Sequence, residues 1–389
     1  MIVKPPDSMT WPVLIVAGEA SSDYHAAKIV RKLKQQEVPS FGMGGPHMRA
    51  EGFDAVVRAE DLSVMGLIEV LRHLPRILQR AHHLRQEIRR RLPKIALLID
   101  LPDFNLRMAK FLKSHGIYVI YYISPQLWAW RSKRVQQVKR YTDEMLCILP
   151  FEAEFYENHH VAARYIGHPL VEDLKEISWA KQKSPNEPVF ALLPGSRRQE
   201  SLRLLPPLLA AAALVLKKIP TARFVLPIAG TTTRDEVNRA VNAFGEVQPR
   251  LEIVMGDSQR VLAHATGAVV ASGTATLEAA LIGVPFVAVY KISWLSFAIL
   301  KRIVKAASVV KVTSVILANL ILGRRVIEEY LQEQVTPERI AQSLLNAVTD
   351  SSVSHAQKVR QELLCTLGVE NSPTQEVTAA IMKRLELPS

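Results

Sequence analysis

The sequence is short of several features, and each shortage excludes a class of protein. Only two cysteines, Cys147 and Cys365, stand far apart among 389 residues, which argues against a disulfide framework and suits a reducing compartment. No apolar run reaches the ~20 uninterrupted residues of a spanning helix, because Gly283, Pro285 and Lys291 break the longest one. The start of the chain carries no apolar segment typical of a secretory signal. We therefore expect a soluble or peripheral protein.

Several ligand-binding signatures are also missing. No Gly-Lys-Ser or Gly-Lys-Thr occurs, which excludes a Walker A loop, and the turn at Gly18 lacks the Gly-x-Gly-x-x-Gly dinucleotide fingerprint. There is no Asp-x-Asp triplet, and the pairs His82-His83 and His159-His160 show no ligand spacing with cysteines or carboxylates. We expect neither a bound metal nor a cofactor.

What the sequence does contain indicates a compact protein with a basic surface. Hydrophobic residues make up 48% and charged residues 22% of the chain, and its 389 residues exceed one ordinary core. Lysine and arginine number 49 against 37 acidic residues, which gives a net charge of +12. Such an excess favours polyanions, whether nucleic acids, phosphorylated substrates or an anionic lipid leaflet.

Short apolar runs alternate with amphipathic helical segments, a pattern typical of parallel sheets covered on both faces. We predict an α/β protein of two Rossmann-like, doubly wound domains facing a cleft, over residues 1–170 and 171–354. C-terminal helices over 355–389 would pack back on the first domain, and Lys175–Pro188 is the predicted linker. The predicted strands are Val13–Ala17, Ile95–Ile99, Ile117–Ile123, Met145–Leu149, Arg164–Ile166, Val189–Leu193, Phe224–Ile228, Leu251–Met255, Ala268–Ala271 and Phe286–Tyr290.

A strand-to-helix turn in the second half has the residues of a diphosphate site. Gly195 and Ser196 follow the run Val189–Leu193 and precede a helix predicted over Leu202–Leu216. Gly195 permits close backbone approach, the helix N-terminus offers free N–H groups, and Arg197 adds a bidentate phosphate donor. The alternative is an ordinary turn with a solvated arginine.

A second turn of the same kind strengthens this interpretation. Ser272, Gly273 and Thr274 join the run Ala268–Ala271 to another helix, and their small size lets a ligand approach the backbone. Glu278, about one turn into that helix, can accept hydrogen bonds from both hydroxyls of a ribose. A glutamate that merely complements the helix dipole is the alternative. Together the two turns predict a nucleotide diphosphate site in the second domain.

In the first half, two carboxylates follow the run Ile95–Ile99. Asp100 and Asp103 lie at the carboxyl end of this predicted strand, where a residue facing a cleft is well placed as a general base. The alternative is a helix N-cap, which suits Asp103 better than Asp100. The residues alone leave open which of the two is the base.

Two apolar stretches stand beside basic residues. In Leu62–Leu78 the apolar residues follow helical spacing, although Pro75 should kink or split the helix. The second stretch is Trp294–Leu300, and lysines and an arginine follow it. Both suit interfacial helices on anionic lipid, and two buried core helices are the alternative. The first stripe comprises Val64, Leu67, Ile68, Leu71, Leu74 and Leu78.

These motifs together resemble the lipid-A-disaccharide synthase family, along roughly Val13 to Leu344. The most specific are the Asp-x-Pro-Asp-Phe-Asn run of residues 100–105 and the Trp-Ala-Trp that ends Ser124–Trp130. The chain departs from the family pattern at Ser22, where glycine is usual, and at Ala318, where proline is usual. The remaining motifs are Ala17–Ser21, Gly44–Pro46, Val64–Gly66, Gly167–Pro169, Pro194–Arg197 and Ser272–Thr274.

The resemblance implies a GT-B fold and transfer of a 2,3-diacylglucosamine unit from UDP to 2,3-diacylglucosamine 1-phosphate. The product would be a β(1→6)-linked disaccharide 1-phosphate, formed with inversion at the inner face of the cytoplasmic membrane. The partners would be these two lipid substrates, an anionic membrane surface and a second copy of the chain in a homodimer, with no nucleic acid and no metal.

The resemblance also implies roles for single residues. Asp100 would be the base that deprotonates the acceptor hydroxyl, with Asp103 beside it and Asn319 in the active site, while Arg197 would hold phosphate and Glu278 the ribose. The UDP-sugar site would comprise Gly195, Ser196, Arg197, Ser272, Gly273, Thr274, Glu278 and Gln332. The acceptor and membrane surface would comprise Glu19, Val64, Met65, Leu67, Leu71, Leu74 and Trp128.

Three other functions compete with this one. A UDP-GlcNAc epimerase and the transferase that builds the peptidoglycan lipid precursor share the two-domain scaffold, but an epimerase needs no acyl-binding stripe. A basic nucleotide-sugar-binding or nucleic-acid-binding protein would interleave aromatic with basic residues in a groove, whereas here the basic residues accompany aliphatic ones.

Overall fold

The computed structural model describes residues 11–61, 67–130, 134–174, 187–228, 232–291 and 314–386, with the side chains at 67–74 and 129–130 left aside. The chain forms two compact units. Unit 1 comprises residues 1–169 and 370–389, and unit 2 comprises residues 170–369. The chain therefore returns to unit 1 for its last helix. The predicted linker Lys175–Pro188 lies almost wholly outside the described residues.

Unit 1 is built on seven parallel strands, which are β1 Val13–Ala17, β2 Ser40–Gly44, β3 Asp54–Arg58, β4 Ile95–Ile99, β5 Tyr118–Tyr122, β6 Glu144–Cys147 and β7 Ala163–Tyr165. Their order in the sheet is β3-β2-β1-β4-β5-β6-β7. The central strands β1 and β4 pair in parallel, with Val16 opposite Leu98, and every residue in them is buried. Strands this apolar form because helices cover both faces of the sheet.

The described helices of unit 1 that connect these strands are α1 Ala20–Gln35, α2 Pro46–Ala50, α3 Leu67–Arg91, α4 Pro102–Ser114, α5 Leu127–Trp130, α6 Val135–Tyr141 and α7 Pro150–Glu157. Helix α1 begins at Glu19, whose backbone N–H donates to Ser22 Oγ at 3.0 Å. Ser22, at the position where glycine was expected, therefore closes the first turn of α1 through its hydroxyl.

Unit 2 is built on six parallel strands, which are β8 Val189–Leu193, β9 Arg223–Ile228, β10 Leu251–Met255, β11 Gly267–Ala271, β12 Phe286–Tyr290 and β13 Glu329–Leu331. Their order is β10-β9-β8-β11-β12-β13. The described helices here are α8 Pro169–Leu174, α9 Arg198–Lys218, α10 Arg234–Val241, α11 Ser258–His264, α12 Thr274–Ile282, α13 Leu317–Ile321, α14 Pro337–Ala347 and α15 Asp350–Leu367. The last helix, α16 Pro373–Glu386, packs in unit 1, where Val377 and Ile381 join the core beside α1.

The structure confirms the predicted class of two parallel, helix-covered α/β sheets, and most strands have the predicted bounds to within two residues. Pro75 does not split its helix, and α3 continues through it from Leu67 to Arg91. One proline removes a single N–H donor, and the turns on either side keep their own hydrogen bonds. Within the described ranges, α9 alone is long and apolar enough for a membrane span, but half of its apolar window is buried in the protein.

Candidate active site

The turn between β4 and α4 in unit 1 has an unusual backbone. Asp100 and Leu101 have φ values of 50° and 47°, so two consecutive non-glycine residues adopt the left-handed conformation. This conformation costs about 1–2 kcal/mol per residue, because Cβ crowds the following carbonyl. Strain of this kind persists only where the surroundings enforce it, and it is concentrated at functional sites.

Hydrogen bonds to the backbone of Asp100 hold this turn. Its N–H donates to Tyr122 O at 3.0 Å. Its carbonyl accepts from the Tyr121 hydroxyl at 2.6 Å and from Asn105 Nδ2 at 2.7 Å. Both donor side chains are fully buried, so neither is exchanged for water. The backbone at the end of β4 is therefore fixed from three directions.

The carboxyl of Asp100 has a shifted acidity. The pKa of Asp100 is raised to about 6, chiefly by burial and further by the nearby Glu19 carboxylate, while a hydrogen bond from the Leu101 N–H opposes the rise. Glu19 is exposed at the start of α1. A carboxylate with a pKa near 6 is ionised at neutral pH yet basic enough to take a proton from a hydroxyl group.

Two sequence motifs meet at this turn. A β-carbon built on Gly18 would lie 2.4 Å from Leu101 Cδ2 and 3.1 Å from Met43 Cε. The Leu101 side chain therefore packs directly on Gly18, and a larger residue at position 18 would have to displace it. The same contact brings Glu19, the next residue in the chain, to the vicinity of Asp100.

Asp103 has a different environment, although it lies only three residues further on. It stands in the first turn of α4, its side chain is 65% exposed, and it forms an ion pair of 2.5 Å with Arg134. An acidic residue in the first turn complements the helix dipole. These features match the helix-start alternative for Asp103, and they leave Asp100 as the stronger candidate for a base.

In unit 2, the turn between β8 and α9 carries two neighbouring exposed arginines, of which one is engaged in an ion pair. Gly195 has a φ of 101°, which favours glycine, and Arg197 is the N-cap of α9. Arg198 pairs with Glu236, whose pKa falls to about 2 through this hydrogen bond. Arg197 is exposed and has no carboxylate within ion-pair distance in the described part of the chain. Its guanidinium remains available beside the N-terminus of a long helix, and Ser196 before it is exposed as well.

The turn between β11 and α12 is open. Gly273 has a φ of 151°, and a β-carbon there would meet nothing within 4 Å. Thr274 after it is exposed, and Ser272 Oγ donates to Val315 O at 3.2 Å. Glu278 accepts from Gln259 Nε2 at 3.3 Å and from Ser258 Oγ at 3.5 Å, and burial raises its pKa. This turn offers unhindered backbone together with a partly buried carboxylate.

Gln332 follows β13 in a strained conformation. Its φ is 52°, its side chain is 7% exposed, and its Nε2 has no hydrogen-bond partner among the described residues. A buried amide donor without a partner costs about 1–3 kcal/mol. The predicted UDP-sugar contact through Gln332 is compatible with this free donor and stays a prediction.

Asn319, which was predicted to lie in the active site, is buried in a hydrogen-bond network of unit 2, and its predicted role stays a prediction. It is 2% exposed, and its Nδ2 donates to Ile327 O and to Glu329 Oε1 at 2.9 and 2.7 Å. Its Oδ1 accepts from the N–H groups of Val326 and Ile327. The amide is saturated by these hydrogen bonds. Its partner Glu329 accepts from the N–H of Val315, the residue that anchors Ser272, so Asn319 supports that turn from within.

Trp128, which was predicted to belong to the acceptor and membrane surface, lies inside unit 1. It is 5% exposed, its ring centroid lies 4.9 Å from that of Phe151, and its Nε1 donates to Glu152 Oε1 at 3.3 Å. Burial raises the pKa of Glu152 to about 7. A contact of this indole with the acceptor or the membrane stays a prediction. Val64, Met65 and the whole of Trp294–Leu300 lie outside what the structure describes, and of Leu67, Leu71 and Leu74 it describes the helical backbone alone.

Two residues that support Asp100 were missed in the sequence. Asn105 stands in the most specific motif, so its position was a usable signal. Tyr121 carried no signal, because its contact with Asp100 depends on the pairing of β4 with β5, where Ile99 lies opposite Tyr122. As for metals, the described residues contain no group of three or more histidine, cysteine or acidic side chains arranged to hold an ion.

Comparison with known proteins identifies the family. A family model described as lipid-A-disaccharide synthetase matches residues 13–382. The lipid-A-disaccharide synthase of Anaeromyxobacter dehalogenans (strain 2CP-C) is 43% identical over 373 residues, which are 94% of this chain and 95% of that protein. That of Myxococcus xanthus is 44% identical over 340 residues, 85% of this chain and 86% of that protein.

Solved structures support the fold at lower identity. MurG of Acinetobacter baumannii aligns with a TM-score of 0.56 at 15% identity, over 96% of this chain and 99% of that one. The UDP-GlcNAc 2-epimerase from Neisseria meningitidis aligns with a TM-score of 0.63 at 12% identity, over 96% and 100%. Both likenesses concern the GT-B-like fold alone. The match of the family model to almost the whole chain, together with relatives above 40% identity, establishes that this chain belongs to the lipid-A-disaccharide synthase family and is a glycosyltransferase with that activity.

Proposed function

We propose that this lipid-A-disaccharide synthase uses Asp100 as the general base and the Arg197 and Gly273 turns as the UDP-sugar site. The donor would be UDP-2,3-diacylglucosamine and the acceptor 2,3-diacylglucosamine 1-phosphate. The activity itself follows from the family, whereas the residue roles rest on the geometry of each unit.

The chemical step is a single displacement. The Asp100 carboxylate takes the proton of the acceptor 6-hydroxyl, the oxygen attacks the anomeric carbon, and the bond from that carbon to the UDP oxygen breaks. The electron pair leaves with UDP, so the configuration inverts and a β(1→6) linkage forms. Base catalysis of this kind contributes about 10²–10⁴-fold to a rate.

On the UDP side, negative charge grows on the diphosphate as the bond breaks. The exposed guanidinium of Arg197 and the free N–H groups at the start of α9 are suited to stabilise it. Glu278 would accept hydrogen bonds from the ribose, and the open backbone at Gly273 would let the nucleotide approach. Arginine and helix N-terminus together would neutralise the leaving group.

The observation that carries the proposal is the state of Asp100. Its carboxyl combines a pKa of about 6 with a backbone clamped in the left-handed conformation at the end of β4. A perturbed carboxyl on an enforced backbone is typical of a residue that handles protons in a reaction.

Product analysis tests the proposed reaction. The purified full chain is incubated with UDP-2,3-diacylglucosamine, with and without 2,3-diacylglucosamine 1-phosphate, and the products are followed by mass spectrometry. We expect the disaccharide 1-phosphate and UDP only when the acylated acceptor is present. An epimer of the supplied UDP-sugar, or UDP release that ignores the acceptor, would contradict the proposal.

We also propose that the protein binds an anionic membrane surface peripherally through the N-terminal half of α3 and the residues before it. The supporting observations are the net charge of +12, the 57% exposure of Leu78 and the exposed arginines on the same helix, such as Arg76. Serine at Val64, Leu67, Leu71 and Leu74 should reduce sedimentation with anionic vesicles and leave circular dichroism unchanged. Global unfolding of this variant would instead make the stripe part of the core. The predicted homodimer stays a prediction, which light scattering can check.

A further inference from the structure

The backbone carbonyl of Asp100 is used in a way that an ordinary strand end does not require. In a parallel sheet the last carbonyls of a strand point along the sheet and can be satisfied by water at the carboxyl edge. Here the Asp100 carbonyl accepts two side-chain donors, the Tyr121 hydroxyl and Asn105 Nδ2. The two donors come from different elements, the neighbouring strand β5 and the helix α4 that follows the turn.

The Asn105 side-chain amide bonds this turn through its nitrogen, while its oxygen stays buried without a partner in the part of the chain described. It is fully buried, and its Nδ2 also donates to Ile99 O at 3.1 Å. A buried polar atom left unsatisfied is rare in native proteins and calls for a reason. The donors of this amide, which bind the two carbonyls on either side of the strand-to-turn junction, provide that reason.

Side-chain packing holds the next residue, Leu101. The Leu101 side chain packs against Gly18, where a β-carbon would lie 2.4 Å from Leu101 Cδ2 and would displace it. The left-handed pair of Asp100 and Leu101 is therefore fixed by hydrogen bonds at the first residue and by packing at the second. Leucine rarely adopts this conformation, although aspartate adopts it more readily than most residues.

We propose that Asn105 and Tyr121 are positioning residues that orient the Asp100 carboxylate by holding its backbone carbonyl. This rests on the proposed role of Asp100 as the base. Neither side chain touches substrate; each acts through Asp100. Removing either donor relaxes the turn toward right-handed or extended backbone and moves the carboxylate. A displacement of about 1 Å at a reacting group can cost roughly 100-fold in rate.

Tyr121→Phe is the sharpest test, because it removes one buried hydroxyl and keeps the ring. We expect kcat to fall by about 10- to 100-fold, with the KM for the UDP-sugar and the affinity for UDP unchanged. Tyr330→Phe is the matched control, since its hydroxyl also makes one hydrogen bond, to Ser343 Oγ at 2.9 Å in unit 2. Similar losses of thermal stability with a kcat loss only in Tyr121→Phe would support positioning. An unchanged kcat in Tyr121→Phe would overturn it.

A double-mutant cycle separates this inference from the function beneath it. In an Asp100→Asn background, Tyr121→Phe should cause no further loss of kcat, because the group it positions is already gone. Additive losses would make Tyr121 merely structural and overturn the inference. If Asp100→Asn alone retains full turnover, the proposed base fails instead, which is a separate result. Asn105→Ala repeats the test from the helix side, and if that variant does not fold, Tyr121→Phe decides.

Discussion

The strand-to-helix turns before α4, α9 and α12 all contain positive-φ residues, but the one in unit 1 uses non-glycine residues there and the two in unit 2 use glycines. In unit 1 the left-handed residues after β4 are an aspartate and a leucine, braced by buried side chains. In unit 2 the corresponding turns use Gly195 and Gly273, which adopt positive φ without steric penalty. The turn of unit 1 is held by side chains from other elements, whereas these two turns of unit 2 rely on glycine. Of these, the Gly273 turn is open and Gly195 lies against the Glu200 side chain.

This difference in residues matches the role proposed for each turn, a catalytic base in unit 1 and a diphosphate site in unit 2. A base must be a side chain held at a fixed place, so unit 1 retains a β-carbon at Asp100 despite the strain. A diphosphate is bound by backbone N–H groups, so unit 2 removes side chains that would keep the ligand away. Both units hold a desolvated carboxyl of raised pKa, Asp100 in unit 1 and Glu278 in unit 2, but the turn before α9 in unit 2 adds an exposed arginine.

The strongest test of this division is the loss of the carboxylate in unit 1. Asp100→Asn keeps the size of the side chain, and asparagine tolerates the left-handed conformation well. We expect kcat to fall by about 10²–10⁴-fold, because the base is lost, while UDP affinity measured by calorimetry stays the same. A collapse of UDP affinity would show that the two turns do not have separate roles.

Asp103→Asn distinguishes the two carboxylates. Its side chain is exposed and paired with Arg134, so we expect a much smaller loss of turnover than in Asp100→Asn. A loss equal to or larger than that of Asp100→Asn would transfer the role of base to Asp103. Thermal unfolding of both variants shows whether either loss comes from instability.

In unit 2, two adjacent arginines test whether the turn before α9 binds the diphosphate. Arg197→Ala should weaken UDP binding by about 10- to 100-fold, since a hydrogen bond to a charged group contributes about 1.5–3 kcal/mol. Arg198→Ala is the matched control, because Arg198 is already engaged by Glu236. Calorimetric titration with UDP measures both. Equal losses in the two variants would mean that general positive charge, and not the geometry of Arg197, attracts the diphosphate.

Much of the architecture could be predicted because it depends on local composition. The runs Ile95–Ile99 and Val189–Leu193 coincide with β4 and β8, since a short apolar run between helices indicates a buried strand. Asp100 and Gly195 could then be assigned to the carboxyl edges of the two sheets. These inferences needed no knowledge of which segments touch.

The features that could not be predicted depend on contacts between distant segments. Asn319 carries a polar amide suited to catalysis, but Glu329 and the backbone of Val326 and Ile327 saturate it. Trp128 resembles a surface aromatic until Glu152 is found beside its indole. The support of Asp100 by Tyr121 arises from strand pairing, which no local pattern encodes.

The smallest expected effect tests how unit 1 sets the acidity of its carboxylate. Because the ionised form of Asp100 is the base, turnover should be lost as the pH falls through about 6. Burial is the larger cause of this raised pKa, and the negative charge of Glu19 adds to it by opposing a second negative charge. Glu19→Gln should therefore move the acidic limb of the kcat profile to lower pH, yet leave it above the ordinary range of an aspartate. Because Glu19 is exposed, added salt should shrink the difference between the two profiles. A limb that stays in place at low salt, or moves to higher pH, would mean that the Glu19 charge does not reach Asp100 and that burial alone raises the pKa of this carboxyl.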